Sequence, residues 1–175
     1  MQELTNNADP AIAMEHVAPP PSPEPRAGDP KPADPAHYEK LRSRGLIVKS
    51  LSGAALAYQG KCEGGDAYDN NCAHYLSDAF IRAGYTELLP PNQDINARCT
   101  PAKRPIRAAD MNAWFKRMAT KTATSYPKNS GFWAVFQLDT SHYCCGHVLI
   151  VDTDHNVYFG TGNYPTWAQQ FFYQW

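Results

Sequence analysis

Nine of the 15 prolines in this chain fall between Pro10 and Pro35. No helix or sheet ladder runs easily through such a stretch, because proline has no N–H to donate and its φ is fixed. The run Ala18-Pro19-Pro20-Pro21-Ser22-Pro23-Glu24-Pro25 suits polyproline II and disorder. Residues 1–36 are therefore expected to form a disordered Pro-rich tail, and residues 37–175 one folded domain. The tail holds six acids against Arg26 and Lys31, so with a net charge of −1 overall the domain is left at +3. Ten tyrosines, seven phenylalanines and four tryptophans supply ample material for a core in a domain of this size. No segment approaches the roughly 18–20 consecutive apolar residues of a membrane span. The near-neutral charge argues against a general nucleic-acid binder. The start Met1-Gln2-Glu3-Leu4-Thr5-Asn6-Asn7 has neither the basic residue nor the apolar run of a Sec signal, so cytoplasmic synthesis without a cleavable signal is expected.

Beyond Tyr38 the pattern becomes globular. A short helix over Lys40–Arg44 ends at Gly45, and the Gly-rich residues 59–66 read as loop. Ala73, Leu76, Phe80 and Ala83 recur at helical spacing, predicting a helix over 72–83 with Asn70 or Asn71 as its cap. A second helix over 107–120 places Met111, Trp114, Phe115 and Met118 on one face, after a Pro-rich loop from Pro90 to Pro105. Residues 131–138, 146–152, 156–160 and 171–173 then read as short strands. Helices first and strands afterwards imply an α+β fold with an antiparallel sheet.

Cys72 carries the most chemistry. At a helix start its sulfur would meet unpaired N–H groups and the positive end of the dipole, which favour a thiolate and lower the thiol pKa. His147, 75 residues later, opens the run His147-Val148-Leu149-Ile150-Val151 just after Gly146, whose missing side chain would leave room for substrate. Taken singly, a Cys at a helix start is usually a small buried hydrophobe and a His near a strand start is usually structural. The order and placement of the two point to a nucleophile and its base.

The segment Asp69-Asn70-Asn71-Cys72-Ala73-His74-Tyr75-Leu76-Ser77, with Gly146-His147-Val148, resembles the NlpC-type papain-like endopeptidases, and within them the amidase effectors of type VI secretion. The likeness spans residues 55–165. It implies a papain-like fold whose catalytic helix packs on a small antiparallel sheet, with Cys72 as nucleophile, His147 as general base and the Cys72 amide in an oxyanion hole. Tyr68 and Asn71 would flank the nucleophile on the oxyanion and substrate side. Relatives place a polar residue, often histidine, on the next strand to orient the base, and this chain has no histidine there. Asn163 falls opposite His147 across the expected hairpin, whereas Asp152 lies about 16 Å along an extended strand. The implied activity is cleavage of amide bonds in peptidoglycan stem peptides by an antibacterial toxin acting in the periplasm of a target cell. A cognate immunity protein would be its partner, and neither metal nor organic cofactor is required. Other readings are a housekeeping cell-wall hydrolase, a protein-directed cysteine protease, or a non-enzymatic module built on zinc or disulfides.

The other four cysteines are Cys62, Cys99, Cys144 and Cys145. Cys62 and Cys99, in loops flanking the helix, are the plausible long disulfide, with free thiols the alternative. His142-x-Cys144-Cys145-x-His147 and Cys72-x-His74 offer six zinc ligands, without the Cys-x-x-Cys spacing of structural sites. His142 reads as a surface turn residue and His74 as a solvent-facing one. Residues 98–128 hold eight bases against Asp110 alone, a solvated basic face or an attractor of anionic polymer.

Overall fold

The computed structural model describes residues 26–45, 47–68, 70–138, 146–162, 164 and 169–175. Strand β3 (Phe132–Leu138) pairs antiparallel with β4 (Gly146–Asp152), which pairs antiparallel with β5 (Val157–Phe159). On the other side β3 pairs with β6 (Gln169–Gln174), and β6 with β2 (Lys121–Ala123). The two-residue β1 (Lys31–Pro32) runs parallel to β5 and completes the order β1-β5-β4-β3-β6-β2. The fold is α+β with a sheet that is antiparallel apart from β1.

Helices α1 (Pro35–Arg44), α2 (Leu51–Ala57), α3 (Cys72–Arg82) and α4 (Ala108–Met118) precede the main strands. The expected helical faces are buried: Ala73, Leu76 and Phe80 of α3 meet Met111, Trp114 and Phe115 of α4 in one core. Phe80 lies 5.1 Å from the Trp114 ring, edge to face, and 6.0 Å from Trp175, stacked. Alternation along the strands divides the sheet. Ala134, Phe136, Val148 and Ile150 face the helices, while Trp133, Val135, Leu149 and Val151 form a second cluster with Tyr158, Tyr164 and Phe172.

Helix α2 was not expected. Its seven residues, Leu-Ser-Gly-Ala-Ala-Leu-Ala, are too small and too few for a clear period, and Ser50 caps it by accepting from Gly53 N–H at 2.9 Å. The domain also begins before residue 37. Lys31 N–H donates to Asn156 O at 3.0 Å and Ala33 N–H to Tyr158 O at 2.9 Å, and Pro30 is buried. Pro32 sits between those two donors on an edge strand, where its missing N–H faces away from β5 and costs nothing. Pro35 starts α1, a position where the absent N–H is not needed. The boundary expected at residue 37 therefore moves toward the N-terminus. The prolines that exclude a central strand are compatible with an edge strand and a helix start.

Candidate functional site

Cys72 is the first residue of α3, where helix and sheet meet, and is 3% exposed. Asn71 is the N-cap residue without a side-chain cap bond, and the Cys72 backbone N–H reaches Asn70 Oδ1 at 3.5 Å. The Cys72 thiol donates to Gly146 O at 4.0 Å, and the N–H groups of Val148, Ala73 and Cys72 itself favour the thiolate. Burial outweighs them and holds the thiol pKa above its ordinary value. The lowered pKa expected from the helix terminus is thus reversed by desolvation.

Gly146 O and Val148 N–H flank His147. The final β4–β5 partners are Ile150 and Phe159, so the thiol occupies a part of the β4 edge that β5 does not pair. The imidazole takes another direction. His147 is directly opposite Gln137 in the ladder, on the face of Val135 and Leu149, whereas Cys72 packs in the helix-side core with Val148. The structure brings Cys72 to the backbone around His147 but does not place the two side chains on one face. Burial alone pushes the His147 pKa down to about 4, so at neutral pH the resting groups are a thiol and a neutral imidazole.

Gly146 opens no substrate space. A Cβ there would lie 2.6 Å from Phe136 Cε2 and 3.2 Å from the Ala108 Cβ, so the glycine admits the Phe136 ring. Nor is Asp152 free to orient His147. Its carboxylate accepts from His155 Nδ1 at 2.7 Å, Tyr38 OH at 3.3 Å and Asp154 N–H at 3.1 Å. Asn163 lies outside the described residues, as do His142, Cys144 and Cys145. On the His147 face, Gln137 donates to Gln170 Oε1 at 3.5 Å, and Tyr164 OH donates to the same oxygen at 2.6 Å. This polar row across β4, β3 and β6 was not foreseen, because its register depends on strand pairing.

Tyr68 and Asn71 turn away from the thiol. Tyr68 OH reaches Asp66 Oδ2 at 3.4 Å, and its ring stands edge-on to His74 at 5.1 Å. Asn71 donates through Nδ2 to Tyr68 O and presents Oδ1 to His74 Nδ1 at 3.4 Å. His74, expected to face solvent, is 1% exposed and points into the loops that carry Cys62 and Cys99. One donor atom from each of these three residues lies within 4.8 Å of the others. Both cysteines are free thiols, so the long disulfide is not formed. Arg104 donates through Nη1 to Cys62 Sγ at 3.2 Å and through its backbone N–H to Cys99 Sγ at 3.3 Å, and its guanidinium pairs with buried Asp78.

A cavity of about 610 Å³ opens between α1, the end of α2 and β5, lined by Tyr38, Arg42, Tyr58, Lys61 and Tyr158 among others. Tyr58 links it to the thiol: burial and then the charge of a Cys72 thiolate push its phenol pKa up. Among the described residues no helix is long and apolar enough to cross a membrane. No family model, curated protein or solved structure matches this chain.

Proposed function

We propose that this protein is a papain-like cysteine amidase that hydrolyses amide bonds of peptidoglycan stem peptides, an antibacterial effector. The observation that carries this reading is the position of Cys72 Sγ, at the first residue of α3 and against the backbone on both sides of His147. In the reaction the Cys72 sulfur attacks the amide carbonyl as its proton passes to His147. N–H groups at the helix start and β4 edge hold the developing oxyanion. His147 returns the proton to the departing amine, and water then hydrolyses the thioester to a carboxylate. For this sequence the imidazole must swing over the β4 edge beyond Phe159, where no β5 residue pairs. Arg42 and Lys61 line the neighbouring cavity, each paired with a glutamate (Glu39 and Glu63) that a stem-peptide carboxylate would displace. In a producing cell an immunity protein would cover this cleft.

Digestion of purified peptidoglycan tests the reading, with fragments identified by mass. Wild-type protein should release fragments with a new amine and a new carboxylate, and Cys72→Ala should release none. Intact peptidoglycan after incubation with the folded wild-type chain overturns it. The Cys62, His74 and Cys99 grouping favours a second reading, a module whose buried centre is structural and whose binding surface is not an enzyme's. Under it, no residue substitution would change a hydrolytic rate.

A further inference from the structure

Cys62, His74 and Cys99 come from three separate parts of the chain: the loop after α2, the first turn of α3, and the Pro-rich loop before α4. Cys99 is fully buried and Cys62 partly so. Among the described residues, His74 Nε2 is buried without a hydrogen-bond partner. A buried polar atom left in this way costs on the order of 1–3 kcal/mol and calls for a physical reason. The other ring nitrogen supplies part of it. Asn71 Nδ2 is committed to Tyr68 O, which leaves the acceptor Oδ1 facing His74 Nδ1 at 3.4 Å. That contact selects the tautomer protonated on Nδ1 and directs a bare lone pair from Nε2 at the two sulfurs.

Gly65 shows the space between them. A Cβ built on it would lie 2.9 Å from His74 Nε2, 3.0 Å from Cys62 Sγ and 3.1 Å from Cys99 Sγ. The three soft donors therefore converge on the side of Gly65 where a side chain would sit, and only glycine leaves them that room. Zinc binds thiolate at about 2.3 Å and imidazole at about 2.0–2.1 Å. Donors now within 4.8 Å need only a small contraction to reach it.

We infer that Cys62, His74 and Cys99 bind one zinc ion, with a water completing the tetrahedron, and that this centre fastens the two loops to the start of α3. Binding exchanges two thiol protons for the metal and releases them to solvent. The two thiolates balance the dication. Arg104 supplies the outer hydrogen bonds, one to each sulfur, while Asp78 balances the guanidinium. A disulfide between Cys62 and Cys99 would satisfy the sulfurs but strand His74 Nε2, and imidazole together with thiolate is a donor set that suits zinc. The inference is independent of the amidase reading, since the Cys72 thiol is directed at Gly146 and is not a ligand.

The test is metal analysis of the full-length chain produced in zinc-supplemented medium and purified without chelator. One zinc per chain is expected, and cobalt in its place should show thiolate-to-cobalt charge transfer with the intense visible bands of a tetrahedral site. Cys62→Ser, Cys99→Ser and His74→Ala should each reduce bound zinc to a small fraction of that. Should a variant fail to fold, chelation of the wild-type chain gives the same answer: it should release the zinc and expose two thiols to alkylation, at Cys62 and Cys99. A reduced, folded chain that takes up neither zinc nor cobalt overturns the inference. So does recovery from the same medium with a Cys62–Cys99 disulfide.

Discussion

His147 stands directly opposite Gln137 across the β3–β4 ladder, and this pairing directs the imidazole to the sheet face away from the helices. The thiol of Cys72 reaches the same strand from the helix side, at the carbonyl just before His147. The Cys72 and His147 side chains thus approach one strand from opposite faces.

Cys72→Ala should abolish amide hydrolysis while the domain stays folded. The side chain is small and buried, so losing the sulfur should cost only about 1 kcal/mol. Urea unfolding alongside peptidoglycan digestion separates the two effects. Variant activity near wild type would remove Cys72 from the mechanism.

His147 should make stability fall with acid. Above pH 6.5 the imidazole is neutral in both folded and unfolded chains. As pH drops, the unfolded chain binds its proton near 6.5, whereas the folded chain resists until about 4. Stability is therefore full above 6.5 and declines toward 4, by up to roughly 3 kcal/mol. His147→Gln should flatten this portion of the pH–stability curve, and an unchanged slope would show that the ring is not buried as a neutral group.

Gly146→Ala should destabilise the domain by about 1–3 kcal/mol, since its Cβ would lie 2.6 Å from a Phe136 ring carbon. Phe136→Leu in the same chain should recover part of the loss. A double-mutant cycle in urea reads the coupling directly, and additive costs would mean that the two positions do not touch.

A chain beginning at residue 37 should be less stable than one beginning at residue 26. It loses the backbone bonds of Lys31 and Ala33 to β5 and the buried Pro30. Together these are worth about 2–3 kcal/mol. Equal melting temperatures for the two chains would show that β1 adds nothing.

Local pattern was enough to place the main elements. The 3–4 spacing of Ala73, Leu76 and Phe80 marks α3, and with it Cys72 as the first helical residue. The β-rich run from Gly146 to Asp152 matches β4 residue for residue, and the aromatic end Phe171-Phe172-Tyr173 lies within β6. These features depend on neighbours a few positions apart, which a linear reading contains. Where a side chain points depends on partners far along the chain. His147-Val148-Leu149-Ile150-Val151 is apolar on both faces because both faces of the sheet are covered, so alternation cannot reveal which one receives the histidine. Pairing with β3 decides it. Desolvation of Cys72 and inward rotation of His74 likewise appear only once α3 has docked on β4 and the loops of Cys62 and Cys99 have closed over it. The residue types that carry chemistry were set by the sequence. Their partners were chosen by the packing of α3, the sheet and two distant loops, because burial and proximity are properties of the folded chain.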